Sequence, residues 1–358
     1  MLKLLAYLAS CLFRLFLNIR HKLFDNGNLK TTKFSNVITI CVGNLTVGGT
    51  GKTPFTEMLV ENLGRNHKVA VLSRGYGRRS KGFIEVTTRS SYKQVGDEPK
   101  QMKLKFPEIL VAVCEKRVEG VERIMTLYPD TEIIILDDAF QHRRIEPTVN
   151  IVLVDYSRPI YEDELLPLGT LRDLPSQLPR AHFVCVTKCT DTMSPMDMRV
   201  MNNGLKLFPY QNLYFTRMIN GTPRPVFPED AMIESPVSGN NVLALAAIGN
   251  PQPFVDSLEL RYKVVERMLF RDHHPYNVND METIQARLAE LPDDTLIVTT
   301  EKDAVKLTGK NRIPLNIRKR LFFVPVQISF VSDTRENFLN QLDSYVRKNQ
   351  TDSLLYTK

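Results

Sequence analysis

The chain has 358 residues, 43% hydrophobic and 24% charged, with a formal net charge of +7. That composition suits a folded globular protein long enough for two cores, and excludes a disordered or fibrous chain. The positive balance favours an anionic partner. Tryptophan is absent and no Lys/Arg run is interleaved with aromatics, so nucleic acid is not expected, and nothing points to an obligate protein partner.

The five cysteines (Cys11, Cys41, Cys114, Cys185 and Cys189) are scattered, mostly in apolar stretches, as reduced buried thiols would be. No second Cys/His pair stands near Cys185 and Cys189 to complete a zinc site.

In chain order, residues 1–25 come first. Leu5, Leu8, Leu12, Phe16 and Ile19 recur at helical spacing, with Leu4, Phe13, Leu15, Leu17 and Leu23 widening the stripe. Lys3, Arg14, Arg20 and Lys22 interrupt it, so the apolar run is too short to span a bilayer. The expectation is an amphipathic helix at a membrane surface, with packing on the protein as the alternative. On the anchor reading, removing residues 1–24 weakens membrane retention and spares nucleotide binding.

Val37 to Val42 reads as a buried strand, followed by a glycine-rich loop, Lys52-Thr53, and Pro54 opening a helix. This is the context of a phosphate-binding loop. Thr46, Val47, Gly48, Gly49, Thr50, Gly51, Lys52 and Thr53 form the candidate nucleotide site. Backbone N–H groups would cradle phosphate, Lys52 would reach the β- and γ-phosphates, and the Thr53 hydroxyl would take Mg²⁺. The first glycine of the usual pattern is replaced by Thr46.

Further strands are expected at Val69–Ser73, Ile109–Cys114, Ile133–Leu136, Ile151–Asp155 and Phe183–Lys188. Val69–Ser73 ends in the basic loop SRGYGRRSKG. Asp97-Glu98-Pro99 reads as a helix start. Asp137-Asp138, closing a buried apolar strand downstream of the phosphate loop, reads as a Walker B pair for Mg²⁺. Alternating strands and helices predict a three-layer α/β domain with a parallel sheet of the P-loop NTPase kind over 26–211. A β-rich linker or small hairpin (212–241), a smaller α/β domain (242–348) and a tail (349–358) follow.

With these pieces assembled, the chain resembles the tetraacyldisaccharide 4'-kinases of lipid A biosynthesis over nearly its whole length. GNLTVGGTGKTP, LSRGYGR, VGDEP, DDAFQH, LPLGTLR, AAIGNP, FRDHHPY and TTEKDAVK carry the likeness, in the family's order. The resemblance implies transfer of phosphate from ATP to the 4'-hydroxyl of a tetraacyl glucosamine disaccharide 1-phosphate, giving lipid IVA, at the cytoplasmic face of the inner membrane. It implies ATP and Mg²⁺ as cofactors, Asp97 as the base, and His273 or His274 as its partner. Asn44, Arg74, Tyr76, Glu98, Arg117 and Arg172 would line the substrate. Because the DHH block falls in the second unit and Asp97 in the first, a cleft between the domains is expected. Two blocks depart from the pattern: Ala139 stands where glycine is expected, and the run Leu171-Arg172-Asp173-Leu174 gives Asp173 no assigned role.

Two other readings compete. A membrane-associated ATPase of the ParA/MinD kind would carry an extra lysine where this chain has Val47. A GTPase would need Asp at the fourth position of Thr187-Lys188-Cys189-Thr190, where Asp191 comes one residue late.

Overall fold

The structure, a computed structural model, describes residues 2–308 and 313–355. It divides into two compact units, Met1–Ser90 with Met102–Met218 and Ile328–Lys358, and Ser91–Gln101 with Ile219–Gln327.

The strands of the first half are β1 (Thr32–Lys33), β2 (Ile38–Asn44), β3 (Val69–Ser73), β4 (Ile84–Glu85), β5 (Leu110–Val113), β6 (Ile133–Asp137), β7 (Ile145–Glu146), β8 (Val149–Asp155) and β9 (Phe183–Thr187). They are followed by β10 (Asn212–Asn220), β11 (Arg224–Pro225), β12 (Asn241–Ala246), β13 (Lys263–Leu269), β14 (Leu296–Thr300), β15 (Leu321–Val324) and β16 (Val326–Phe330). The helices are α1 (Leu2–Asp25), α2 (Lys52–Leu63), α3 (Tyr92–Val95), α4 (Asp97–Lys105), α5 (Arg117–Leu127) and α6 (Pro195–Leu205). Then come α7 (Gln252–Glu259), α8 (Val278–Glu290), α9 (Glu301–Ala304), α10 (Leu315–Arg318) and α11 (Arg335–Leu355).

The first unit is built on a nine-stranded sheet in the order β16-β10-β9-β8-β2-β6-β3-β5-β4. Its centre is parallel, with Ile40 opposite Ile135 on one side and Val149 on the other. Every residue of β2, β6, β8 and β9 is buried, as expected of strands covered on both faces. Successive side chains point to opposite faces. Cys41, Ile134, Leu136, Val152, Val154, Val184 and Val186 therefore share one core with Leu17 of α1, Val121 and Ile124 of α5 and Met201 of α6. On the other face Phe183 meets Phe338 of α11 edge-on at 5.4 Å, and Phe338 meets Phe55 of α2 at 5.8 Å. This is the α/β/α sandwich expected from the sequence. Gly43 allows a close approach in it, since a Cβ there would sit 2.5 Å from Phe140 Cβ.

The second unit has a five-stranded sheet ordered β11-β15-β14-β12-β13, parallel except for β11 against β15. Leu243, Leu245 and Ile297 pack with Met281, Ile284 and Leu288 of α8 on one face, and Val242, Ala244 and Val298 with Phe254, Val255 and Leu258 of α7 on the other.

The sequence-based boundaries shift in three places. Ser91–Gln101 belongs to the second unit, not to the first domain. The expected linker is no hairpin. Its β10 runs parallel to β9 in the large sheet, while β11 joins β15 in the small one. The terminal helix belongs to the first unit because Phe338, Leu342 and Val346 are buried apolar residues, and Phe338 inserts among Phe55, Phe183 and Tyr214. That helix extends through Leu355 into the expected tail, and residues 356–358 lie outside the described residues.

Helix α1 packs on the first unit by a narrow stripe including Ser10, Leu17, His21 and Phe24, which are buried. Leu4, Leu5, Leu8, Leu12, Leu15, Phe16 and Ile19 remain exposed. The alternative expectation, packing on the protein, thus holds for one face of the helix, and the other face is apolar and exposed. Among the described residues no helix is long and apolar enough to cross a membrane.

Candidate active site

In the first unit, β2 delivers the chain into the phosphate loop. Asn44 is fully buried and shapes the loop from beneath: its Nδ2 donates to Thr50 Oγ1 at 2.9 Å. Thr187 Oγ1 donates to Thr50 O at 2.9 Å, and Val47 N–H to Thr170 O at 2.8 Å. Gly51 takes φ +83° at the N-cap of α2, a left-handed turn that favours glycine. No side chain caps α2, so its first N–H groups are available to an anion. The crest, Val47, Gly48 and Gly49, is exposed, and nothing lies within 4 Å of where a Cβ on Gly49 would sit.

At the end of β6, Asp137 is buried and accepts from Ser73 Oγ at 3.1 Å and Thr56 Oγ1 at 3.4 Å. Asp138 adopts φ 48°, a left-handed conformation that Asp tolerates better than most residues. Its carboxylate lies 3.8 Å from Lys52 Nζ and forms a bidentate pair with the Arg172 guanidinium. Burial pushes the Asp138 carboxyl up, but Lys52 and Arg172 outweigh it and hold it below the usual carboxylate range.

Three residues expected at the substrate have other partners here. Asn44 is under the phosphate loop. Arg172 donates to both Asp138 and Asn44 Oδ1. Arg117, only 2% exposed, donates to Cys114 O at 2.6 Å and Asp137 O at 3.0 Å, so it braces the strand ends and does not face a headgroup. Arg74 and Tyr76 do reach solvent, Tyr76 with 77% of its surface exposed. The Thr187-Lys188 step serves the fold: Thr187 holds the loop, and Lys188 pairs with Asp155 at 2.6 Å. A cavity of about 330 Å³ beside α1 is lined by Phe16, Ile19, Leu23, His142, Arg143 and Arg144 among others.

In the second unit, Asp97 opens α4 and its Oδ2 lies 3.1 Å from His273 Nδ1. The side chains are 15% and 44% exposed respectively. His273 takes φ 58°, and its N–H donates to Ala247 O at 3.2 Å. Lys302 Nζ lies 3.4 Å from His273 Nε2 and 4.0 Å from Glu98 Oε1. An ammonium only donates, so Nε2 accepts and Nδ1–H points at the Asp97 carboxylate. His274 faces elsewhere. It stacks on Phe270 at 4.6 Å and bonds Asp280 at 2.9 Å, and Asp280 closes the Asn277 capping box of α8. His273, not His274, is the partner of Asp97. Asp303, fully buried, ties this corner together by accepting from Ala247 N–H, Thr300 Oγ1 and Lys306 Nζ. The sequence reading gave Lys302 no role, although the TTEKDAVK block was its signal.

The family model for tetraacyldisaccharide-1-P 4'-kinase matches residues 2–347. The chain belongs to that family. A tetraacyldisaccharide 4'-kinase of Phocaeicola vulgatus is 43% identical over 94% of this chain and 93% of its own length. One from Bacteroides fragilis is 40% identical over 96% and 93%. The crystal structure of LpxK from Aquifex aeolicus in complex with ATP is similar with a TM-score of 0.74 and 27% identity, covering 98% of this kinase and 99% of that chain. In this kinase the phosphate loop and Asp137-Asp138 fall in one unit, and Asp97 and His273 in the other.

Proposed function

We propose that this kinase transfers the γ-phosphoryl group of ATP to the 4'-hydroxyl of a tetraacyl glucosamine disaccharide 1-phosphate. The observation that carries the reading is the Asp97–His273 pair, a carboxylate oriented by an imidazole. An ATPase that only hydrolyses nucleotide on a membrane has no need of such a base for a sugar hydroxyl.

The N–H groups of residues 48–53 and Lys52 hold the phosphates. Thr53, Asp137 and Asp138 supply hard oxygen donors of the kind Mg²⁺ takes, so the residues fit that ion. When bound, it neutralises charge on the phosphates. Arg172 fixes Asp138, and Arg117 fixes the Asp137 backbone. Asp97 accepts the proton of the attacking hydroxyl, while the His273 Nδ1–H keeps its carboxylate aimed and Lys302 fixes the imidazole tautomer. Arg74, Tyr76 and Glu98 contact the headgroup. The exposed apolar side of α1 lies in the interface of the inner membrane on its cytoplasmic side, where the lipid acceptor resides.

The test is transfer of labelled γ-phosphate from ATP to the tetraacyl disaccharide 1-phosphate in detergent micelles. Labelled lipid from the wild type supports the reading. Hydrolysis of ATP stimulated by vesicles, without labelled lipid, overturns it.

A further inference from the structure

The side of α1 turned toward the protein grips one short segment, residues 164–174, at two points. Ser10 Oγ donates to Leu165 O at 2.9 Å and accepts from Leu168 N–H at 3.1 Å. Further along the helix, His21 Nε2 meets Asp173 Oδ1 at 2.6 Å, with side chains only 4% and 0% exposed. Arg143 lies 3.1 Å from His21 Nδ1. A guanidinium only donates, so Nδ1 accepts and Nε2 carries the hydrogen that Asp173 receives. Asp173 Oδ1 also accepts from Leu174 N–H at 2.9 Å, while Oδ2 has no hydrogen-bond partner. The buried carboxylate therefore depends on His21, and its loss leaves a charge that burial makes costly.

The opposite side of the same segment supports the phosphate loop. Val47 N–H donates to Thr170 O and Arg172 N–H to Leu45 O, both at 2.8 Å. The Arg172 guanidinium holds Asp138 and Asn44. Arg172 and Asp173 are neighbours in sequence: one is bonded to the phosphate-holding site and the other to α1.

We propose that His21 and Asp173 are positioning residues for phosphoryl transfer. The buried pair fixes the backbone at 172–173, and through it Arg172 against Asp138 and Asn44. Docking of α1 thereby sets the geometry in which the phosphates are held. The proposal rests on the phosphoryl-transfer reading above and replaces the simpler expectation that loss of α1 spares nucleotide binding. It also gives a role to Asp173, to which the sequence assigned none.

The experiment compares wild type, His21→Ala, His21→Gln and Asp173→Asn in steady-state transfer to the tetraacyl disaccharide 1-phosphate, and in equilibrium binding of ATP without lipid or metal. His21→Ala is expected to lower kcat per folded molecule about tenfold, as displacement of a site by a fraction of an ångström does. It also weakens ATP binding severalfold and leaves the KM for lipid unchanged. His21→Gln, which keeps a donor N–H within reach of Asp173, recovers most of kcat. A kcat and an ATP affinity for His21→Ala within about twofold of wild type, whatever the fall in melting temperature, would overturn the proposal. So would a defect confined to the lipid KM, which would make α1 an anchor alone. If Asp173→Asn does not fold, the two His21 variants decide. A wild type that binds ATP but phosphorylates no lipid would sink the functional reading, and ATP affinity alone would then decide the positioning claim.

Discussion

The two carboxylate centres of this kinase are built in opposite ways. Asp137 and Asp138 sit at the end of a fully buried strand, tied by Ser73, Thr56, Lys52 and Arg172. Asp97 opens a helix, is partly exposed, and is met by a histidine that is more exposed still. The first arrangement suits a site that holds fixed charge, because ion pairs in a low-dielectric surrounding resist reorganisation. The second suits a group that must admit a substrate hydroxyl and change its protonation. Both centres place a key residue in left-handed backbone, Asp138 and His273.

Substitutions can sharpen this contrast. The largest effect short of removing Asp97 is expected from Lys52→Ala, which deprives the phosphates of their lysine and leaves Asp138 with Arg172 alone of its two cations. Transfer should fall about a hundredfold or more, with ATP affinity falling too. His273→Ala should cost roughly ten- to a hundredfold in kcat with ATP affinity unchanged. His274→Ala, by contrast, should lower the melting temperature by loosening Phe270 and the α8 cap, with kcat per folded molecule nearly intact. Equal kcat losses in the two histidine variants would erase the distinction drawn between them. Lys302→Met should cost about tenfold and alter the pH profile of kcat, because it frees the His273 tautomer.

The smallest effect concerns stability. Burial, and then Arg117, Arg74, Arg144 and Arg20, push His142 down to about 4. An unfolded histidine titrates near 6.5, so between about 6.5 and 4 the unfolded chain binds the proton first. Stability should fall as pH drops through that window and flatten below it. Asp138, held low, adds to the loss in more acid solution. Urea midpoints measured against pH should show a shallower slope for His142→Asn, and an unchanged slope would contradict the assignment.

Much of the first unit was legible in the sequence because its central strands are continuous apolar runs flanked by glycine or acid, the pattern of a parallel sheet covered on both faces. Val37–Val42 and Ile133–Leu136 are the clearest cases. Strand β13 was not read: Glu266 and Arg267 interrupt it, as befits an exposed edge strand. The allegiance of Ser91–Gln101 was not legible either, because contacts between Asp97 and His273 join residues 176 apart in sequence. The same limit hid Lys302, Asp280 and the role of Asp173, each defined by a partner that no local pattern reveals. Ala139, where the resemblance led to an expectation of glycine, is buried, and it is Asp138 beside it that takes the left-handed turn.

The central claim is that holding the phosphates and accepting the proton are separate tasks of separate residues. Its most direct test is a single-turnover transfer from prebound labelled ATP to the lipid by Asp97→Asn, with ATP affinity measured on the same protein. The account predicts unchanged ATP affinity with transfer slowed roughly a hundredfold or more. Transfer at the wild-type rate, or a loss of ATP binding equal to the loss of transfer, would contradict it.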